Sequence, residues 1–124
     1  MRTENIVYFT EKEEECANLL IAIGLKRYVA KTLVFLSGNP AATSRAIERG
    51  TDLRQPEVSI AVGDMTKLGW IRNRESMVKG QGRPIKVYEL VKSFPEILDF
   101  IEKTKQKKAE QERQMLEKLR GFAG

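Results

Sequence analysis

Arg54 and Gln55 stand side by side just ahead of Pro56, and both carry planar, forked hydrogen-bonding groups. An arginine can donate two parallel bonds to the acceptor edge of a guanine, and a glutamine amide can donate and accept at once, as an adenine edge requires. Glu57, Ser59 and Ile60 follow closely. A carboxylate can accept from a cytosine amino group, a hydroxyl can bond a base or a phosphate, and a branched apolar chain can touch a thymine methyl. Each also has a plainer reading. Gln55 can simply cap a helix, Arg54 can be a surface charge, and Glu57 can be an acid favoured at a helix N-terminus by the macrodipole.

Other chemistry is largely excluded by what the chain lacks. It has no histidine and one cysteine, Cys16, so zinc clusters, Ser/His/Asp triads and Cys/His dyads cannot be assembled. No paired-carboxylate motif, phosphate loop or cofactor fingerprint is present. The expectation is a protein that is not an enzyme and has neither cofactor nor metal. Cys16 is expected to pack as a small apolar side chain, and a lone thiol fits a reducing cytoplasm. The longest apolar runs, 19–23 and 32–36, are too short to span a bilayer, and the opening residues lack the pattern of a signal peptide. The net charge of +5 and isoelectric point near 9.4 favour a polyanionic partner.

The elements that must hold these residues can be traced along the 124 residues, a length that suits one domain with one core. Thr10 and Glu13 have capping-box spacing, and Cys16, Leu19, Leu20 and Ile23 form an apolar stripe that ends at Gly24. A second, broadly apolar helix is expected from about Lys26 to Ser37, broken by Gly38-Asn39-Pro40. A short helix capped by Thr43 or Ser44 carries Arg45–Arg49, turns Ala46 and Ile47 inward and stops at Gly50. The turn 50–53 is plugged by Leu53. Pro56 suits the first turn of the next helix, Val58, Ala61, Val62, Met65 and Leu68 form its core face, and Gly69 ends it. Gly63 lies mid-helix, at a cost near 1 kcal/mol against alanine. From Trp70 the period changes to two. Residues 70–75 and 85–90 read as the strands of a hairpin around a glycine-containing basic loop. Ser93 and Glu96 again have capping-box spacing, and the absence of proline or glycine from Glu96 to Arg120 predicts one long helix of about 25 residues.

The fold class expected is mainly α with a small β-hairpin. A short helix, a tight turn and a second helix form a helix-turn-helix, and the hairpin that follows is a wing. In such units the second helix enters the DNA major groove. Residues 53–92 contain eight bases and four acids, a net +4 that holds most of the chain's excess charge. Thr43, Ser44 and Arg45 start the preceding helix, whose N–H groups suit a phosphate as well as ordinary capping. Arg83 at the wing tip is the candidate for minor-groove insertion. Lys79 and Lys86 are expected on phosphates, and Arg72 and Arg74 share one strand face that meets the DNA backbone or solvent. Trp70 and Tyr88 are expected in the core.

The segments Leu53-Arg54-Gln55-Pro56-Glu57-Val58-Ser59, Leu68-Gly69-Trp70-Ile71 and Gly82-Arg83-Pro84-Ile85-Lys86-Val87-Tyr88-Glu89-Leu90 together resemble archaeal winged helix-turn-helix transcription regulators akin to the ArsR and TrmB groups. The resemblance covers roughly residues 26–90 and implies a homodimer on palindromic operator DNA. Metal sensing of the ArsR type draws on cysteines and histidines, and this chain has no histidine and only Cys16. Nor does it carry the large sugar-binding domain of full-length TrmB regulators. The organisation expected is a DNA-binding domain over 1–92 and a long dimerisation helix over 93–124, pairing through its apolar ends Phe94–Ile101 and Met115–Leu119, together with the first helix. The rival reading is a winged-helix module that contacts proteins and no DNA.

Overall fold

The computed structural model describes residues 9–77 and 84–124. The chain divides into two compact units, Met1–Lys92 and Ser93–Gly124. Among the described residues, the first holds four helices and a hairpin in the order α1 (Glu11–Ala22), α2 (Arg27–Gly38), α3 (Ser44–Thr51), α4 (Gln55–Lys67), β1 (Ile71–Met77) and β2 (Pro84–Leu90), and the second is α5 (Phe94–Ala123). This is a winged helix-turn-helix followed by a long terminal helix.

The helix starts follow from their caps. The Thr10 hydroxyl accepts the Glu13 N–H at 3.2 Å while the Glu13 carboxylate accepts the Thr10 N–H at 2.8 Å, so two otherwise orphaned donors are satisfied reciprocally. Ser93 and Glu96 repeat the arrangement at the head of α5. Gly69 ends α4 with φ 78°, a backbone conformation that costs glycine nothing.

α2 is the centre of the first unit and packs on α1, α3, α4 and β2. An unbroken run, Thr32 to Leu36, is buried, as expected of a helix covered on most sides. Val58, Ala61, Val62 and Met65 of α4 are buried too. Three expected core residues are not. Leu19 (63%) and Ile23 (42%) of α1 and Leu68 (45%) at the end of α4 are exposed. The buried face of α1 is rotated toward Ala17 and Leu20, where the small Ala17 side chain lets α1 lie close to its neighbour. Leu68 is the residue after the last turn, so the helical period no longer fixes its direction.

Gly50 also differs from expectation. It does not stop α3 but lies inside its last turn, which runs to Thr51 and is closed by Asp52 at φ 61°. A Cβ at Gly50 would overlap the ring of Phe35, so the glycine is there for close packing of α3 on α2. Thr51 is buried. Its hydroxyl donates to the Ile47 carbonyl at 2.6 Å and accepts the Leu53 N–H at 3.3 Å. Lys31 donates to the Thr51 carbonyl at 3.4 Å, favourably placed for a cation at a helix C-terminus.

β1 and β2 pair antiparallel from Ile71↔Leu90 to Met77↔Pro84, so β1 starts one residue later and ends two residues later than the alternation suggested. Ala42 adds an isolated antiparallel bridge to Tyr88, with Ala42 N–H to Tyr88 carbonyl at 3.0 Å and the reciprocal bond at 2.8 Å. Trp70 and Tyr88 are buried, as expected. Within its own unit, α5 has 30 residues, about 45 Å at 1.5 Å per residue. It begins two residues before Glu96 because Pro95 in the first turn needs no N–H partner, and it continues through Gly121. Ile97 and Ile101 are its buried residues. Met115, Leu116, Leu119 and Phe122 are exposed, and Arg113 pairs with Glu110 and Glu117, each at 2.6 Å.

Two glycines inside helices should respond oppositely to alanine. Gly50→Ala should destabilise by about 1–3 kcal/mol, as overpacking against a buried ring does. Gly63→Ala, where a Cβ would meet nothing within 4 Å, should stabilise by about 1 kcal/mol. Urea unfolding of both variants checks the pair, and a tolerated alanine at 50 would refute the close packing. The fully buried Thr32 hydroxyl has no hydrogen-bond partner. Thr32→Val should therefore raise stability by about 1 kcal/mol, since a buried unsatisfied hydroxyl costs that much or more. A loss in the same unfolding experiment would show that the hydroxyl has a partner after all.

Candidate nucleic-acid interface

Three groups of predicted residues lie on three neighbouring pieces of the first unit. At the start of α3, the Thr43 hydroxyl accepts the Ala46 N–H at 3.1 Å, so Thr43 rather than Ser44 is the cap. Ser44 is half-buried and Arg45 exposed. Ala42, the residue before the cap, is bonded to β2. The first turn of α3 is thereby held beside the hairpin.

At the start of α4, Arg54 and Gln55 are exposed. Glu57 is fully engaged within the protein. Its Oε1 accepts the Arg54 N–H at 2.9 Å and its Oε2 accepts from Arg27 Nη1 at 3.2 Å. Of the two readings open for Glu57, these bonds match the plainer one, an acid that satisfies a helix N-terminus. Ser59, Ile60, Gly63 and Lys67 continue the exposed side of α4, while Val58, Ala61, Val62 and Met65 occupy the buried side. The period of 3.6 thus leaves one whole face of the helix, headed by Gln55, open to solvent. Ile60 is 50% exposed on it, an apolar side chain without an intramolecular reason to be there.

On the hairpin, Arg72 stands directly across from Glu89. Arg72 Nε donates to Glu89 Oε2 at 2.8 Å, and Arg74 Nε donates to Glu89 Oε1 at 3.4 Å. One carboxylate therefore aligns two guanidinium groups and leaves the face with surplus positive charge. The hydrogen bond from Arg72, helped by its charge and by Arg74, holds the Glu89 carboxyl below the usual glutamate range. Lys86 is exposed and faces Glu75 across the ladder. Lys79 and Arg83 lie outside the described residues. Cys16 is half-buried, and burial, followed by the charge of Glu13, pushes its thiol up from its ordinary value, opposite to what a reactive thiolate needs. Among the described residues no group of three or more cysteine, aspartate or glutamate side chains could hold a metal ion, and no helix is long and apolar enough to cross a membrane.

Two features of this surface had no signal in the sequence. The Ala42–Tyr88 bridge is a single residue pair and has no periodicity. Arg27 reaches Glu57 across 30 positions, and nothing in either local pattern points to the other.

Because Glu89 titrates lower in the folded protein than its ordinary value of 4.5, its ion pairs add stability above that pH and lose it as the pH falls through the lowered value. Glu89→Gln should therefore be less stable than wild type at neutral pH and converge with it in acid, as the pH falls through the lowered value. Thermal melts across that range check the expectation, and parallel curves would rule out a contribution from Glu89.

No family model matches the sequence, and no curated protein matches it as a relative. Two solved structures align with the chain. A PadR family transcription regulator from hypervirulent Clostridium difficile R20291 aligns over 74% of this chain and 98% of its own at 23% identity, with a TM-score of 0.44. A possible transcriptional regulator from Methanosarcina mazei Go1 aligns over 87% of this chain and 86% of its own at 18% identity, with a TM-score of 0.62, a likeness of fold.

Proposed function

We propose that the protein is a sequence-specific DNA-binding transcription regulator, akin to the ArsR/TrmB-like regulators, that acts in the cytoplasm as a homodimer on palindromic operator DNA. The observation that carries this reading is the exposed face of α4, with Arg54 and Gln55 at its head and Ser59 and Ile60 along it, standing immediately before a hairpin with surplus positive charge. Arg54 and Gln55 read base edges, Ser59 bonds a base or phosphate, and Ile60 contacts a thymine methyl. Thr43, Ser44 and Arg45 meet phosphate at the start of α3. Arg72, Arg74, Lys79 and Lys86 grip the backbone, and Arg83 enters the minor groove. Glu57 positions these groups and reads no base. The fold shared with the possible transcriptional regulator from Methanosarcina mazei Go1 supports the assignment. The dimer is supported by the exposed Met115, Leu116, Leu119 and Phe122 of α5, which recur at helical spacing and would be covered by a second copy.

Duplexes selected from a random pool, followed by fluorescence anisotropy at several salt concentrations, test the proposal. The logarithm of affinity should fall linearly with the logarithm of salt, by about 0.9 per phosphate contacted. Arg54→Ala should lose roughly 1–3 kcal/mol of discrimination at one base position, whereas Lys86→Ala should weaken all sequences alike and lower the slope by about 1. Absence of binding even at low salt would favour a protein-interaction module instead. Sedimentation should give a dimer, and a monomer at micromolar concentration would remove the homodimer.

A further inference from the structure

The contact between Arg27 and Glu57 joins the first residue of α2 to the first turn of α4. Both side chains are partly exposed, 49% and 35%, and they border a shallow polar depression together with Asp52, Leu53, Arg54 and Pro56. An exposed ion pair of this kind adds little to folding stability, so stability gives no reason for its position. The position matters for another reason. Glu57 is the only acid in the first turn of α4, at the end of the helix that carries Arg54 and Gln55. A bare carboxylate there would repel a polyanion. One that swung out toward solvent would also release the Arg54 N–H, which it accepts at 2.9 Å, and with it the backbone that aims the Arg54 side chain.

We infer that Arg27 is a positioning residue for DNA recognition: through Glu57 it fixes the first turn of α4, and it cancels the carboxylate's charge where phosphates approach. The inference rests on α4 being the recognition helix. Arg27 acts on specificity through Glu57, not by contacting the duplex. A neutral glutamine at 57 can still accept the Arg54 N–H, as glutamine does in a capping box, but no longer needs a cation beside it. That makes the two roles separable.

The test uses the full chain and four variants, R27Q, R27K, E57Q and R27Q/E57Q, with the selected duplex and a mismatched duplex at fixed salt and thermal melts in parallel. R27Q should lose roughly threefold to tenfold in affinity for the selected duplex, lose less on the mismatched one, and melt within a degree or two of wild type. R27K, which keeps the charge, should recover most of the loss. In the E57Q background the change at Arg27 should cost nothing further, so R27Q/E57Q should bind as E57Q does. Equal losses from R27Q in both backgrounds and on both duplexes, with a salt slope lowered by about 1, would mean that Arg27 grips a phosphate itself and would overturn the inference. So would unchanged binding by R27Q. Wild-type protein that binds neither duplex at low salt would overturn the recognition-helix reading and this inference together, whereas wild-type binding with additive losses overturns this inference alone.

Discussion

The helix-turn-helix depends on the ring of Phe35 lying against bare backbone at Gly50. With no Cβ in the way, α3 can settle onto α2 closely enough for Ile47 and Thr51 to be buried. The tight turn then follows from local chemistry. Asp52 takes the left-handed conformation that closes α3, Thr51 bonds both back into the helix and forward to Leu53, and Leu53 is buried. Once the turn is set, α4 must leave it in one direction, and its apolar stripe can reach the core only by turning toward α2. The opposite stripe is outward by geometry. The face offered for recognition is therefore a consequence of core packing, and no part of it has to be stabilised on its own account.

Much of this organisation is legible in the residues because it rests on local rules. The capping boxes at Thr10 and Ser93, the proline in the first turn of α4, Gly69 after its last turn and the change of period at Trp70 all act over a few positions, and each is found where the pattern puts it. The misreadings share a cause. α1 is apolar at enough positions that a stripe through Leu19 and Ile23 looks as good as one through Ala17 and Leu20, and only the neighbouring helix decides between them. Gly50 looks like a stop because glycine usually is one in that place, whereas its role is set by a ring fifteen positions earlier in the chain. The residues of the proposed interface on α4 were legible because helical period alone separates them from the core. The partners of Glu57 and Glu89 were not, because they arrive from other elements.

Charge on this surface is organised rather than merely abundant. Glu89 aligns Arg72 and Arg74 while neutralising only one of them, so the strand keeps its positive sign and the guanidinium planes lose some of their freedom. A group ordered in advance gives up less entropy when it is bound. Lys31 plays a related part inside the fold, where its ammonium meets the end of α3 and lies 6.0 Å from the centre of the Phe9 ring.

The paired hydrogen bonds between Ala42 and Tyr88 have a wider consequence. A two-stranded ribbon alone is marginal in water, and here a third segment borders it at one point. The connector between α2 and that point is only a few residues long, from Asn39 to Ala41, so it acts as a ruler. Its length sets where along β2 the chain docks and hence how high the ribbon stands relative to the first turn of α3. Lengthening or shortening it by one residue would shift the register of this docking segment against β2 and so turn its side chains to the other side. Among proteins of this architecture, that short connector is a place where changes in length would re-aim the ribbon without altering a residue on it.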